Sequence, residues 1–333
     1  MEKEIIKKIK EASKIVITAH KSPDGDAIGS TVALYHFCKK LGKEAYVCLP
    51  DTIPSFLNWL EGAEIVHYFD KAPETVANLL TSCDLLFSLD YNEINRVGTE
   101  MGAFLESSTA YKIMIDHHTF PESYANITYS FPDVCSTCQL IYDVIDKGGE
   151  KALIDEKIGT AIYLGIMTDT GSFRFPSVTP HTHEIAMELM KVGVKHYRVH
   201  EQVYDSNTVD RIRLRGYALS NKLEIFHDGQ IALITLTKEE LAKFNYKKGD
   251  TEGLVNEALS VIGVKIAAFF SEKEGIIRIS FRSKGTNNKV NLLSQQFFNG
   301  GGHINAAGGS FNGGMLEAVQ LFKKEVYAFL DKD

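Results

Sequence analysis

The sequence predicts two α/β domains, a first one built on a parallel sheet and a smaller second one with a mixed sheet, joined by a helical linker. Over roughly the first 193 residues, short apolar runs alternate with helical patterns, which is typical of βαβ units. Residues 194–222 are polar and basic, which suits a helical surface connector. Beyond residue 222, apolar residues alternate with polar or small ones, as in half-buried strands. We therefore predict domains at 1–193 and 223–333, which a length of 333 residues allows.

The strands of the first sheet are predicted from four apolar runs: KIVITAH (14–20), EAYVCL (44–49), CDLLFSLD (83–90) and YKIMIDHH (111–118). Apolar residues at helical spacing follow the first run and stop before Gly42, which predicts a helix with that glycine as its C-cap. The segment DEKIGTAIYLGIMTDTG is apolar nearly all round, which predicts a helix packed inside the domain. In the second domain, GQIALITLT and GIIRISFRS predict strands.

The composition is that of an ordinary globular protein, with 44% hydrophobic and 24% charged residues. The net charge of −7 is the opposite of what a protein tracking long duplex DNA carries, so we expect any nucleic-acid partner to be short. Acids and bases cancel from Leu223 onward, and RSKGTNNK (282–289) contains Arg282, Lys284 and Lys289 without an acid. This stretch is a candidate anion-binding site.

We expect a cytoplasmic protein without a membrane partner. No apolar run reaches the roughly 18 residues of a membrane span, and the start MEKEIIKKIKEA is a charged amphipathic helix without a signal-peptide core. The five cysteines are odd in number and lie mostly in apolar stretches, which predicts reduced, buried thiols rather than a disulfide framework.

Polar residues follow three of the four predicted strands of the first sheet. His20, Asp24 and Asp26 follow the first run, Asp90 closes the third, and Asp116, His117 and His118 close the fourth; Asp169 ends the buried helix. Ligands of an open parallel sheet gather outside the carboxyl ends of its strands. We therefore expect these acids and histidines to converge on one edge.

Carboxylates a few ångströms apart repel one another and cannot all stay ionised at neutral pH, so such a cluster requires cations. The four acids Asp24, Asp26, Asp90 and Asp169 would balance two divalent ions. Mixed histidine and carboxylate ligation suits Mn²⁺ or Mg²⁺, and the imidazoles favour Mn²⁺. Two such ions about 3.5–4 Å apart activate a bridging hydroxide and neutralise the charge that develops when a phosphoester is attacked.

Each of these motifs also has a purely structural interpretation. SPDGD is favourable turn chemistry, Asp90 alone could cap the following element, and TDTGSF alone could be a helix end followed by a turn. The run DHH is short and occurs often by chance. All four in this order, each at the end of an element, favour a metal site.

The motifs HKSPDGDAIGS, SLDYN, IDHH and TDTGSF resemble the four motifs of the DHH phosphoesterases. GGGHINAAGGSF (300–311) resembles the signature of the DHH-associated C-terminal domain, so the resemblance covers nearly the whole chain. It implies a catalytic domain with two Mn²⁺ ions, joined by a helical linker to a smaller domain that binds the substrate across a cleft.

The resemblance also implies roles for individual residues. One ion would be held by His20 and Asp24, the other by Asp26, His117 and Asp169, with Asp90 between them. His118 would face the substrate, stabilising phosphoryl oxygens or helping to protonate the leaving oxygen, while Asp116 would orient a histidine. We predict His118, Asp116 and Asp90 as the catalytic residues.

The C-terminal signature predicts contacts to a phosphate. Gly300, Gly301 and Gly302 let the backbone approach a ligand and expose amides, and His303 can donate to a phosphate near neutral pH. Arg282 suits bidentate phosphate binding, and Ser283 and Lys284 beside it complete the predicted substrate-binding set. The alternative is that the glycines form a tight turn, which is at least as good an explanation for Gly308 and Gly309.

CSTC (135–138) could indicate a zinc or redox site, but a single pair of cysteines lacks the second pair of a closed tetrahedral site. Ser136 and Thr137 fit a helix start before QLIYDVI better. A dinucleotide fingerprint is missing after KIVITA, which argues against a dehydrogenase.

Within the family, RecJ-type exonucleases carry further modules for long single strands, for which this chain has neither the length nor the charge. Family II pyrophosphatases lack the GGGH signature. The remaining resemblance is to the NrnA-type subgroup, which degrades oligoribonucleotides of about two to five residues to mononucleotides and converts 3′-phosphoadenosine 5′-phosphate to AMP. The sequence leaves open cyclic or linear signalling dinucleotides, a sugar phosphate or polyphosphate as the substrate. It also leaves open a non-catalytic nucleotide sensor and the formation of a homodimer.

Overall fold

The computed structural model describes residues 1–273 and 275–330. The chain divides into an N-terminal unit, Met1–Ser206, and a C-terminal unit, Asn207–Asp333. The predicted α/β fold class, with a parallel and a mixed sheet, is confirmed. The boundaries at 193 and 222 stay a prediction; the stretch between them contains the helices His196–Tyr204 and Val209–Tyr217.

The N-terminal unit contains a six-stranded parallel sheet in the order β3-β2-β1-β4-β5-β6. Its strands are β1 (Lys14–Ala19), β2 (Glu44–Leu49), β3 (His67–Tyr68), β4 (Leu85–Leu89), β5 (Tyr111–Asp116) and β6 (Ile127–Ser130). Four of them lie on the four predicted apolar runs. The short strands β3 and β6 were not predicted, since neither is an apolar run.

Helices cover both faces of this sheet. They are α1 (Glu2–Glu11), α2 (Gly25–Lys40), α3 (Pro73–Ser82), α4 (Thr99–Ser107), α5 (Thr137–Lys147), α6 (Glu156–Asp169), α7 (Pro180–Lys191) and α8 (His196–Tyr204). Successive residues of β1 alternate between two cores, with Ile15 and Ile17 in one and Val16 in the other. The first core includes α1, α2, α5 and α6, and the second includes α3 and α4. All three residues are fully buried, so both faces of β1 are covered and polar side chains lie beyond its end.

The C-terminal unit contains a six-stranded mixed sheet in the order β11-β12-β10-β9-β8-β7, in which only β8 and β9 pair in parallel. Its elements are α9 (Val209–Tyr217), β7 (Leu223–Phe226), β8 (Ile231–Leu236), α10 (Lys238–Lys243), α11 (Leu254–Leu259), β9 (Ile266–Lys273), β10 (Ile276–Ser283), α12 (Val290–Phe297), β11 (Gly301–His303), β12 (Ala306–Phe311) and α13 (Met315–Glu325). One face packs on α12 and α13, and the β7–β9 part of the other packs on α9 and α11. The sequence predicted β8 and β10, but not β7, β9, β11 or β12.

All five cysteines lie in the described part of the chain, and each is a buried free thiol, as predicted. Among the described residues, no helix combines the length and the apolar character needed to cross a membrane.

Glycines allow α2 to pack directly against α6. A Cβ atom on Gly29 of α2 would lie 2.6 Å from the carbonyl oxygen of Ala161 and 2.9 Å from Sγ of Cys138. Both neighbours are buried, and the first is backbone of α6, so neither can move away easily. This close approach brings the first turn of α2 beside the last turn of α6.

We expect Gly29→Ala to destabilise the N-terminal unit by about 1–3 kcal/mol, because the added methyl group has to push α2 away from α6. Thermal unfolding followed by circular dichroism measures the effect. Gly216→Ala is the control: Gly216 is exposed on α9 with open space around its Cβ position, so alanine there should be neutral or slightly stabilising. Equal melting temperatures for Gly29→Ala and the wild type would contradict this account of the helix contact.

Candidate metal centre

The sheet order places β1 and β4 side by side at the point where the direction of strand progression reverses, the usual ligand site of such sheets. His20 directly follows β1, and Asp90 directly follows β4. The neighbouring strand β5 ends at Asp116, and His117 and His118 follow it. These predicted residues therefore emerge from three adjacent strands at one edge.

Two further acids come from the start of α2. Asp24 is the N-cap: its Oδ1 accepts hydrogen bonds from the amides of Asp26 at 3.0 Å and of Ala27 at 3.1 Å. Asp24 can therefore cap the helix and also lie beside the other acids, because the start of α2 is at the same edge of the sheet. Asp26 is completely buried in the first turn.

One group of possible metal ligands consists of His20, Asp24 and Asp90, whose ligand atoms lie within 4.8 Å of one another. Nε2 of His20 lies 3.4 Å from Oδ2 of Asp90 and 3.9 Å from Oδ1 of Asp24. The Asp24 side chain is 55% exposed, so this group opens to solvent.

A second group consists of Asp26, Asp90 and His117. Nε2 of His117 lies 3.5 Å from Oδ1 of Asp90, 3.9 Å from Oδ2 of Asp26 and 3.2 Å from Oδ2 of Asp169. Asp90 belongs to both groups and directs one carboxylate oxygen to each. The donors are carboxylate oxygens and imidazole nitrogens, a set that fits Mn²⁺ or Mg²⁺.

Backbone carbonyls orient the two histidines of these groups. Nδ1 of His20 lies 2.9 Å from the carbonyl oxygen of Lys21, and Nδ1 of His117 lies 3.1 Å from that of Val134. A carbonyl oxygen only accepts, so Nδ1 carries the proton in both rings. In the neutral imidazoles, Nε2 then holds the lone pair that a cation needs.

His118 is held by Asp116. Nδ1 of His118 donates to Oδ1 of Asp116 at 2.7 Å, and the His118 amide donates to Oδ2 at 3.1 Å. Burial acts to raise the pKa of Asp116, but the hydrogen bond and the charge of His118 bring it below its usual value. Asp116 is therefore an ionised carboxylate that positions a histidine.

The remaining electrostatics reflect burial and crowding of like charges. Burial, followed by the charges of Asp169 and Asp24, raises the pKa of Asp26 to about 7. Burial and the surrounding carboxylates also raise the pKa of Asp90 well above its usual range. Burial lowers the pKa of His20. In the metal-free protein, bound protons therefore neutralise part of the negative charge that bound cations would otherwise neutralise.

Among the described residues, the groups of possible metal ligands do not include the CSTC cysteines. Burial raises the pKa of the Cys135 thiol to about 12 and that of Cys138 well above its usual value, so both thiols are protonated in the metal-free protein. As predicted, α5 begins here, and Ser136 is its N-cap, accepting from the Gln139 amide at 3.1 Å.

In the C-terminal unit, the predicted residues Arg282 and His303 lie on one face of the sheet. Arg282 pairs with Ala306 across β10 and β12, and His303 pairs with Ala306 across β11 and β12, so all three side chains share that face. Lys284 lies just past the end of β10 and is exposed. Ser283 lies on the opposite face, buried, and its hydroxyl donates to the Asn288 carbonyl at 2.6 Å.

The glycines of the signature differ in their surroundings. A Cβ atom on Gly300 would lie 1.9 Å from the carbonyl oxygen of Gly308, and one on Gly302 would lie 2.5 Å from that of Ala306. Gly302 also has a φ of 132°, which side chains rarely adopt. Gly301 has more open space, its nearest neighbour being Gln295 at 3.8 Å.

Sequence reasoning assigned no role in the site to three side chains that lie near the predicted ones, although it placed Thr137 at a helix start. Thr137 Oγ1 donates to Oδ1 of Asp90 at 3.0 Å. Burial lowers the pKa values of His20 and His118, and the charge of Arg96 adds a smaller effect in the same direction. Arg278 is exposed on the same face of β10 as Arg282. The alternation in IRISFRS could have identified Arg278, since the two arginines are in phase.

Comparison with known families assigns both units. Residues 14–166 match the DHH family, N-terminal domain, and residues 229–332 match the DHHA1 domain. The chain is 33% identical over 316 residues to the bifunctional oligoribonuclease and PAP phosphatase NrnA of Thermus thermophilus, covering 94% of this chain and 88% of that protein.

Two further proteins resemble the chain over nearly its whole length. The crystal structure of an exopolyphosphatase-related protein from Bacteroides fragilis has 40% identity and a TM-score of 0.93, covering 98% of this chain and 96% of that one. The cyclic-di-AMP phosphodiesterase GdpP of Bacillus subtilis is 25% identical over 97% of this chain, which corresponds to 49% of that protein.

The raised pKa of Asp26 predicts how the stability of the metal-free protein depends on pH. The pKa of about 7 in the folded chain lies above the value of about 3.9 in unfolded chains. The native state therefore holds a proton that the unfolded chain releases, and this stabilisation is complete below about pH 4 and lost as the pH rises through about 7. We expect the stability difference between the wild type and Asp26→Asn, measured in EDTA, to fall over that window.

Added Mn²⁺ should raise the melting temperature more at about pH 8 than at about pH 5.5, because the carboxylates have to lose their protons to bind a cation. The shift is measured by differential scanning fluorimetry at both pH values. An increase of the same size at both would contradict protonated carboxylates in the metal-free site.

Proposed function

We propose that this chain, a member of the DHH family and a hydrolase of phosphoester bonds, degrades short oligoribonucleotides to mononucleotides. We propose that it also converts 3′-phosphoadenosine 5′-phosphate to AMP. The observation that carries this proposal is the position of Asp90. One of its oxygens faces His20 and the other faces His117, as a carboxylate shared by two cations requires. The similarity to NrnA of Thermus thermophilus supports the choice of substrates.

In the proposed site, His20 and Asp24 would hold one cation, Asp26, His117 and Asp169 would hold the other, and Asp90 would contribute to both. Mn²⁺ is the proposed metal, since both groups combine imidazole with carboxylates. When bound, the ions supply an activated water and neutralise the charge that builds up on the attacked phosphate.

His118 is proposed to act on the leaving oxygen. With Nδ1 donating to Asp116, the Nε2 atom is the one that holds or delivers a proton. Burial lowers the pKa of His118, and the ionised Asp116 acts in the opposite direction while it keeps the ring in a fixed orientation. In this proposal, the Asp90 carboxylate binds the metal ions and the Asp116–His118 pair transfers the proton.

The face of the C-terminal sheet that carries Arg282 and His303 is proposed to bind the substrate. Small residues of β10 and β12 form its floor between these side chains: Ser280, Ala306, Gly308 and Ser310. A flat floor of this kind leaves room for a nucleotide, while Arg282 can form two parallel hydrogen bonds to a phosphate.

Arg278 extends the same face. Four residues along a strand separate it from Arg282, or about 13 Å, which favours contacts to two different phosphates. A mononucleotide-sized substrate would engage Arg282 alone, and a longer oligoribonucleotide would engage both arginines.

A second candidate substrate is a cyclic dinucleotide, favoured by the similarity to GdpP over almost the whole of this chain. It ranks second because the chain corresponds to only 49% of that protein, whereas it corresponds to 88% of NrnA. The same metal site would serve either substrate.

A panel of substrates tests the proposed function. With Mn²⁺, the purified protein should convert a labelled RNA dinucleotide to mononucleotides and 3′-phosphoadenosine 5′-phosphate to AMP, faster than it opens a cyclic dinucleotide or cleaves pyrophosphate. Products are separated by liquid chromatography. Intact dinucleotide at stoichiometric enzyme would contradict the proposal, and faster turnover of the cyclic dinucleotide would favour the second candidate.

Two substitutions test the assigned roles in the same assay. Asp90→Ala should abolish turnover because it removes a ligand from both cations, and His118→Ala should lower kcat by about 10²-fold or more through loss of proton transfer. Circular dichroism checks that both variants are folded. Wild-type rates for Asp90→Ala would show that the site lies elsewhere.

The two arginines should differ in their dependence on substrate length. Arg282→Ala should raise KM for all substrates, whereas Arg278→Ala should raise KM for a trinucleotide by about tenfold and leave 3′-phosphoadenosine 5′-phosphate nearly unchanged. Arg213→Ala on the exposed surface of α9 is the control. The same KM change for every substrate with Arg278→Ala would contradict the assignment to a distant phosphate.

A further inference from the structure

We propose that Thr137, the first residue of α5, is a positioning residue that holds the Asp90 carboxylate in the orientation in which it can join two cations. This inference rests on the proposed metal site. It assigns a function to the CSTC segment beyond that of starting a helix.

The segment Val134–Cys138 contacts three of the predicted ligands. The Thr137 hydroxyl donates to Oδ1 of Asp90 at 3.0 Å. The amides of Thr137 and Cys138 donate to the two oxygens of Asp26, at 2.6 Å and 2.9 Å. The carbonyl of Val134 lies 3.1 Å from Nδ1 of His117. One short stretch of chain thus orients ligands that come from three different elements.

The start of α5 suits this task because the first amides of a helix have no partner within the helix. Ser136 caps the amide of Gln139, and the two amides before it are given to Asp26. The positive end of the helix dipole faces a carboxylate there, which stabilises its charge without occupying a metal position.

The Asp90 carboxylate receives its donor from a side chain of this segment, whereas the Asp26 carboxylate receives backbone amides. Its φ of 62° lies in the left-handed region, where few residues other than glycine and asparagine are comfortable. Its amide donates to the carbonyl of Ile115 at 3.1 Å, which holds the backbone, and the Thr137 hydroxyl holds the side chain.

The hydroxyl leaves the carboxylate able to bind cations. A carboxylate oxygen has two lone pairs, so Oδ1 can accept from Thr137 and still face His117 at 3.5 Å, while Oδ2 faces His20. Without the hydroxyl, the carboxylate can rotate about its last bond, and one oxygen no longer faces each group.

The contact between Thr137 and Asp90 is shielded from water. Thr137 and Asp26 are completely buried, and Asp90 is 2% exposed, so water does not replace a lost donor easily. Gly165 of α6 provides the necessary space: a Cβ atom there would lie 2.2 Å from Sγ of Cys138 and 2.5 Å from Oδ1 of Asp26. The three helices around Thr137 are therefore packed too closely to permit a rearrangement.

Thr137→Val tests the proposal, since valine keeps the shape of threonine and removes the donor. We expect it to weaken Mn²⁺ binding by about 10- to 100-fold, with Thr137→Ser within about threefold of the wild type because serine restores the hydroxyl. Binding is measured on metal-free protein by electron paramagnetic resonance of free Mn²⁺, independently of turnover. Thr31→Val is the matched control: Thr31 is fully buried in α2, and its hydroxyl bonds only to backbone carbonyls of that helix.

Wild-type Mn²⁺ affinity for Thr137→Val would overturn the proposal, as would an equal loss for Thr137→Ser or Thr31→Val. Should Thr137→Val fail to fold by circular dichroism, Thr137→Ala removes the same hydroxyl with less bulk and is judged by the same criterion. A wild type that binds Mn²⁺ but cleaves no oligoribonucleotide overturns the proposed substrate and leaves the function of Thr137 intact. A wild type that binds no Mn²⁺ overturns both.

Discussion

Repulsion between carboxylates that the fold brings to one edge of a parallel sheet is the constraint on which the rest of the site depends. The protein meets it locally, with a separate set of hydrogen-bond donors for each of four acids. Asp24 accepts from the amides of α2, Asp26 from those of α5, Asp90 from Thr137, and Asp116 from His118. None of these donors is a lysine or arginine ammonium or guanidinium group. A buried cationic side chain would compete with metal ions for the same oxygens, whereas amides and hydroxyls orient the oxygens and leave them able to bind.

The architecture of the N-terminal unit follows from the need to place these donors. The reversal of strand order between β1 and β4 opens the edge, and the close packing of α2 on α6 at Gly29 brings Asp26 beside Asp169. The start of α5 packs beside these residues and donates hydrogen bonds to Asp26 and Asp90. In the C-terminal unit, the sheet face with Arg278, Arg282 and His303 carries basic side chains instead of acidic ones. The proposed function would use the acids of the first unit for metal ions and the basic residues of the second for a phosphate.

The sequence predicts those parts of the fold and site that depend on local patterns. Strands β1, β2, β4 and β5 are continuous apolar runs, and the residues after them are readable because a strand end is where the apolar run stops. Strand β3 has two residues and β6 alternates in a four-residue stretch, so neither produces a pattern that stands out from a loop. The bond between Thr137 and Asp90 joins residues 47 apart in sequence, and no local pattern encodes it. Ser283 shows that closeness in sequence can also mislead. It was grouped with Arg282 because the two are adjacent, but successive residues of a strand point to opposite faces. The Ser283 hydroxyl donates to the Asn288 carbonyl inside the unit.

The central claim is that the Asp90 carboxylate joins two cations. Anomalous X-ray scattering at the manganese edge, from crystals grown with Mn²⁺, tests it most directly. The account predicts two peaks about 3.5–4 Å apart, one on each side of Asp90, with His20 and Asp24 around the first and Asp26, His117 and Asp169 around the second. A single peak without contact to Asp90, or manganese bound only elsewhere on the chain, would contradict it.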